Sequence, residues 1–286
     1  MELWKTFVLE AQDDESAAGI LPITSYNIFV NGGNGATMTP QGTVLLAGGG
    51  ATLPETVRAF IRFAGGLDAR IVILAHTQSD IREAGERSVS FFEQQGARNV
   101  VAPDSVQAET LASYIHTASG VWIPGGDQNR LMRLLGQSGA FRQAMQGVLR
   151  RGGVVGGTSA GASLMGTWMP TGERNASDAV RRGATSLARG IDLLPNSIVD
   201  QHFIRRNRWA RLLCAVLEHP DCVGIGLDEG AWAVVQANEL RVYQGQVVVL
   251  RAATAPREKG RLMGCRDLRM SLLLEGDTLL LGERRG

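Results

Sequence analysis

Cysteine is scarce in this chain. Cys214, Cys222 and Cys265 are its only three, and none sits in a C-x-x-C spacing. An odd, scattered set supports neither a disulfide framework nor a zinc site, so free thiols and no bound metal are expected. Net charge is nearly absent as well, with 29 lysines and arginines against 28 aspartates and glutamates. That excludes a nucleic-acid binder driven by bulk charge, while a local basic site stays open. No apolar run approaches the length of a membrane span. The first twenty residues carry Glu2, Lys5, Glu10, Asp13, Asp14 and Glu15, which is unlike a secretory leader. A cytoplasmic location is therefore expected, with a secreted form that has already lost its leader as the alternative. The chain also has no internal repeat, no linker that would split it, and no G-x-x-x-x-G-K-[ST] phosphate loop. Gly48-Gly49-Gly50-Ala51 lacks G-x-G-x-x-G, so a nucleotide cofactor is not expected.

Glycine, by contrast, is abundant, with 36 residues gathered at turns. The most informative run is Gly153-Val154-Val155-Gly156-Gly157-Thr158-Ser159-Ala160-Gly161-Ala162-Ser163. A short buried strand leads into a turn of pattern G-x-S-x-G, and a helix of small residues is expected after Ser159. That is the pattern of a nucleophile elbow. A strand-to-helix turn this tight forces an unusual backbone angle on the serine, and only small neighbours leave room for it. The pattern also arises by chance in an ordinary crossing with a buried hydroxyl, so the rest of the chain must decide.

At 286 residues the chain is long enough for one large α/β domain. Residues 1–41 read as an N-terminal extension packed on it, with Ile28-Phe29-Val30 as an edge strand. Residues 42–286 read as a single domain. Apolar strands at Thr43–Leu46, Arg70–Leu74, Asn99–Val101, Gly120–Ile123 and Val154–Val155 alternate with helices beginning near Pro54, Ile81, Glu109, Leu131 and Phe141. Such alternation describes a doubly wound, mostly parallel sheet with helices on both faces. Ligands bind such sheets at the carboxyl ends of the strands. Three glycine-rich turns fall there: Gly48–Gly50, Gly125-Gly126 and Gly156-Gly157. Their coincidence suggests a site where backbone approaches a ligand. Thr171–Ala184 reads as a polar surface loop near that site. Arg205, Arg206, Arg208 and Arg211 fall on a helix that continues through Leu217. Leu240–Tyr243 and Val247–Leu250 read as a hairpin around Gln244-Gly245-Gln246, followed by a last pair near Leu272–Leu274 and Thr278–Leu281.

A serine needs a base to take its proton. Of four histidines, His76 follows a strand end, His116 sits on a helix and His219 ends one. His202 lies at a strand-to-helix junction crowded with polar groups and is the strongest candidate. A carboxylate must hold the imidazole. Asp228, Glu229 and Asp200 all qualify by position. The order serine, histidine, acid differs from that of α/β-hydrolases and argues against an ordinary esterase.

Four segments in this order resemble one family: Gly125-Gly126-Asp127-Gln128; Gly157–Ala162; Asp200-Gln201-His202-Phe203 with Arg206, Arg208 and Arg211; and Gly224–Glu229. They resemble the serine peptidases that include the cyanophycinases and the aspartyl dipeptidase called peptidase E. The match runs from about Thr43 to Val235. The chain departs from the cyanophycinase pattern at Ala51-Thr52, where an acidic residue is common. The resemblance implies a fold like that of class I glutamine amidotransferases and a triad of Ser159, His202 and Glu229. It implies substrate-binding roles for Gln128, Asp200, Arg206, Arg208 and Arg211. Backbone N–H groups of Gly126 and Ala160 are expected to form the oxyanion hole. The expected activity is hydrolysis of β-linked aspartyl peptides, foremost cyanophycin, releasing β-Asp-Arg, without a cofactor. A dipeptidase of the peptidase E type and a non-catalytic acidic-peptide binder are the alternatives. The expected partners are that peptide substrate and a second copy in a homodimer, with no nucleic acid and no membrane.

Overall fold

The structure, a computed structural model, describes residues 42–171 and 180–282. The expected extension over residues 1–41, and residues 172–179 of the Thr171–Ala184 loop, lie outside the described residues. The first half of the fold runs β1 (Thr43–Ala47), α1 (Pro54–Phe63), β2 (Ile71–Ile73), α2 (Ile81–Gln94), β3 (Val100–Val101), α3 (Ala108–His116), β4 (Gly120–Ile123), α4 (Gln128–Leu135), α5 (Gly139–Arg150) and β5 (Val154–Thr158). There follow α6 (Ala160–Ser163), β6 (Gly166–Pro170), β7 (Leu187–Arg189), β8 (Leu194–Asp200), α7 (Trp209–Glu218) and β9 (Val223–Leu227). The chain closes with β10 (Trp232–Gln236), β11 (Glu239–Gln244), β12 (Val247–Ala252), β13 (Arg257–Lys259), β14 (Leu262–Gly264), β15 (Leu268–Leu273) and β16 (Thr278–Leu280).

The central sheet has the order β16-β11-β10-β1-β5-β4-β2-β3. Its β1-β5-β4-β2-β3 half is wholly parallel, as the alternating apolar runs predict. Successive side chains of a strand face opposite ways, so each strand feeds two cores. Leu45 and Trp122 join Phe60, Ile61 and Phe92 of α1 and α2 on one side. Leu46 and Val121 join Leu111 of α3 and Met145 of α5 on the other. Phe60 meets Trp122 and Phe92 edge to face, at centroid distances of 5.2 and 5.7 Å. Burying a side chain of this kind stabilises the fold by about 1.5–3 kcal/mol. Helix starts are locally encoded: the side chains of Asp80, Asp127 and Ser138 accept backbone N–H bonds at the first turns of α2, α4 and α5.

A second sheet, β15-β12-β9-β8-β6-β7, was not evident from the sequence pattern. Its inner residues Val199, Ile225 and Val249 belong to the same core as α3 and α5. Its outer residues Ile198, Val248 and Leu250 pack with Leu212 and Val216 of α7. C-terminal hairpins are present, but with partners other than those expected. β11 and β12 do not pair with each other. β11 joins β10 in the central sheet, whereas β12 joins β9 and β15 in the second. Likewise β15 pairs with β12 and β16 with β11. The turn that makes a hairpin is Ala237-Asn238, whose φ values of +48° and +67° suit a tight two-residue connection. β12 is buried along Val247–Leu250, so it needs a cover on both faces that a solvent-facing hairpin arm would lack.

The helix expected to carry all four arginines is also shorter. Ile204–Asn207 form a turn, and α7 starts only at Trp209. His202 and Asn207 have φ values of +46° and +49°, which a right-handed helix cannot accommodate. Among the described residues no helix is long and apolar enough to cross a membrane.

Candidate active site

The elbow is present at the end of β5. Ser159 has φ +54° and ψ −114°, a conformation that costs a non-glycine residue about 1–3 kcal/mol. Surrounding bonds hold it there. Ser159 N donates to Ala47 O at 2.9 Å, and Ala162 N and Ser163 N both donate to Ser159 O. The flanking glycines are required by close approach. A Cβ on Gly157 would lie 2.6 Å from Ile123 O and 2.8 Å from the Gly161 Cα, and one on Gly161 would strike Ile123 O. The helix that follows is a single turn, α6, shorter than the glycine and alanine run suggests.

The Ser159 hydroxyl lies 2.9 Å from His202 Nε2, and His202 Nδ1 lies 2.6 Å from Glu229 Oε1. The three groups stand in line although 70 residues of sequence separate the outer two. Asp228 is engaged elsewhere: its Oδ1 accepts from Ile204 N at 3.0 Å and Arg205 N at 2.8 Å. It thereby ties down the turn that follows His202. The other histidines stand apart. His76 donates Nε2–H to Ser105 O at 2.8 Å, and His219 stacks on Trp168. Gln201, which the sequence reading did not single out, brings Oε1 to 3.3 Å from the Ser159 hydroxyl. Its position beside His202 was the available clue.

Burial holds the His202 imidazole below its ordinary pKa. The Glu229 hydrogen bond opposes that shift, and the Arg206 charge adds to it. A neutral ring at neutral pH can accept a proton. With Nδ1–H donated to Glu229, the Nε2 lone pair faces the serine.

The first glycine turn packs against this line of residues. Gly49, at φ +101°, passes against the imidazole, and His202 N donates to Gly48 O at 2.8 Å. Gly230 N donates to Gly49 O at 3.0 Å, which fixes the Glu229 turn to the same loop.

The five residues expected to bind substrate divide into two groups. Arg206 is exposed and Gln128 is partly exposed, its amide donating to Pro170 O at 2.6 Å. Asp200, Arg208 and Arg211 form the other group: all three are buried, with Asp200 wholly inaccessible. Arg211 grips both Asp200 oxygens, Nε to Oδ2 at 2.8 Å and Nη2 to Oδ1. Arg208 Nη1 donates to Gln201 O at 2.6 Å and reaches Asp200 Oδ1 at 3.4 Å. Burial and the Arg211 charge lower the Arg208 pKa to about 10, so it remains a cation at neutral pH. Two cations thus meet on one carboxylate below the surface, where they hold the Gln201–His202 segment, while Arg208 Nε is buried without a hydrogen-bond partner.

The description "Peptidase family S51" matches residues 44–243. Cyanophycinase of Geminocystis herdmanii (strain PCC 6308) is 37% identical over 190 residues, covering 65% of this chain and 70% of that protein. Cyanophycinase of Trichormus variabilis (strain ATCC 29413 / PCC 7937) is 34% identical over 267 residues, covering 86% and 89%. A peptidase from an acI-B1 Actinobacterium shares the fold, with a TM-score of 0.61 at 18% identity over 85% of this chain and 98% of that one. The protein is thus a serine-type peptidase of α/β architecture. The chain belongs to peptidase family S51.

Proposed function

We propose that this peptidase is an exopeptidase for β-linked aspartyl peptides, cyanophycin first among them, and that it releases β-Asp-Arg dipeptides through Ser159, His202 and Glu229. The observation that carries the mechanism is the unbroken line from Ser159 Oγ to His202 Nε2 and from His202 Nδ1 to Glu229 Oε1, at 2.9 and 2.6 Å. The names of the relatives above support the substrate.

Ser159 Oγ attacks the scissile carbonyl carbon while its proton moves to His202 Nε2. Glu229 steadies the imidazolium so formed. The carbonyl oxygen becomes an oxyanion received by the N–H groups of Gly126 and Ala160, each such donor typically worth about 2.7–4 kcal/mol. His202 returns the proton to the departing amine as the C–N bond breaks. Water then attacks the acyl-enzyme along the same route, releasing the acid and restoring Ser159.

Arg206 and Gln128 are the proposed substrate contacts, since a guanidinium fork suits the carboxylates of an aspartyl backbone. Asp200, Arg208 and Arg211 act from beneath by holding Gln201 and His202. The non-catalytic alternative leaves the strained Ser159 without a purpose, because strain of that size persists where function uses it. Incubation with cyanophycin and, separately, with β-Asp dipeptides, followed by product identification by mass, tests the proposal. β-Asp-Arg from the polymer supports it. Cleavage of dipeptides alone supports the peptidase E type, and no cleavage of either overturns both.

A further inference from the structure

Two residues after β2, Thr77 and Gln78, hold the turn that carries Gly126. The Thr77 hydroxyl donates to Gly125 O at 2.8 Å and shares its proton with Pro124 O at 3.1 Å. The Gln78 amide donates to the same Gly125 oxygen at 2.6 Å. Asp127 N donates to Thr77 O at 2.8 Å, so Thr77 grips the turn on both sides of Gly126. Thr77 is buried at 2% exposure, and Gln78 is half-buried.

A peptide group is planar and trans, so its N–H points opposite to its C=O. Fixing the Gly125 carbonyl on Thr77 and Gln78 therefore aims the Gly126 N–H away from both. The turn runs beside the serine: a Cβ on Gly125 would stand 3.5 Å from Ser159 Cβ and 4.0 Å from its Oγ. Gly126 has φ +139°, and a side chain there would run into the Thr77 carbonyl oxygen, so the turn is held close on that side. Hydrogen bonds accepted by a carbonyl also polarise its amide and strengthen the N–H as a donor.

We propose that Thr77 and Gln78 are positioning residues for the oxyanion hole. They aim and polarise the Gly126 N–H toward the tetrahedral intermediate without touching substrate. This rests on the serine mechanism proposed above.

The test measures the rate at which a small fluorophosphonate labels Ser159 in the full chain. The O–P bond forms as P–F breaks, the serine proton passes to His202, and fluoride leaves. The anionic oxygen of that transition state needs the same N–H donors as a peptide does. Thr77→Val and Gln78→Met keep the volume and lose the donor. Each is expected to slow labelling about tenfold, less than the roughly 10²–10³ for loss of a direct oxyanion donor. With a peptide substrate kcat should fall while KM holds, and Thr77→Ser should recover most of the rate. Unchanged labelling in both variants with intact melting overturns the inference, as does a rise in KM at constant kcat or a failure of the serine rescue. If Thr77→Val does not fold, the half-buried Gln78→Met decides. Wild-type protein that takes no label at Ser159 overturns the serine mechanism itself, an outcome distinct from equal labelling of wild type and variants.

Discussion

The imidazole of His202 fits only because residue 49 has no side chain. A Cβ on Gly49 would lie 2.5 Å from both Cε1 and Nε2 of His202. The expected effect of Gly49→Ala is therefore on alignment. It should push the ring out of line between Ser159 and Glu229 and lower kcat by about 10²-fold, the scale of a misplacement near 1 Å. Steady-state kinetics together with circular dichroism checks this. Ordinary turnover in a folded Gly49→Ala variant would mean that the ring is not used where it lies.

Ser159 offers a way to separate strain from chemistry. Ser159→Ala and Ser159→Gly should both lose turnover by several orders of magnitude, since triad members act as a unit. Only the glycine relieves the positive φ. Allowing for the extra entropy of a glycine when unfolded, Ser159→Gly should still be more stable than Ser159→Ala by about 1 kcal/mol. Equal denaturation midpoints for the two would argue that the elbow stores no strain.

Asp200 and Arg206 should fail in opposite ways. Asp200→Ala leaves Arg208 and Arg211 buried without their carboxylate and should cost about 3–5 kcal/mol of stability. Denaturant unfolding measures it. Arg206→Ala, at an exposed turn, should move stability by no more than about 0.5 kcal/mol. It should weaken cleavage of aspartyl peptides strongly while leaving fluorophosphonate labelling of Ser159 intact. Loss of both activities would make Arg206 structural, and loss of neither would return the substrate reading to a general peptidase.

The pH dependence follows from the direction of the histidine shifts. Burial lowers His202, so its neutral form should persist below pH 6.5, and the acid limb of kcat/KM should lie below the ordinary histidine value. Arg206 also lowers it, so Arg206→Ala should move that limb upward. His76 and His219 are likewise lowered, chiefly by burial. A folded state with lowered histidine pKa values binds fewer protons than the unfolded chain. Stability from these groups is thus complete above about pH 6.5, the unfolded value, and is lost as pH falls through the folded values. Melting midpoints taken between pH 7.5 and pH 5 on the scale of these shifts should decline toward acid. A flat profile would contradict the burial of His76.

What the sequence determined by itself was whatever rests on near neighbours. Short apolar runs between helical patterns specified the parallel half of the central sheet, because strand and helix periodicity are local. The glycines around Ser159 declared a turn too tight for side chains. What tertiary structure decided depends on partners far along the chain. Asp228 and Glu229 are adjacent and chemically alike, and only the packing of β9 and its following turn beside His202 turns Glu229 to the imidazole and Asp228 to the backbone of Ile204 and Arg205. The four arginines read alike as a basic run, yet Arg206 is exposed while Arg208 and Arg211 are buried with Asp200. β11 and β12 are separated by Gly245 and Gln246 alone, yet they enter different sheets. Adjacent strands favour a hairpin on local grounds, but burying both faces of β12 requires β9, β15 and the cores on either side, and that requirement is visible only once the chain has folded.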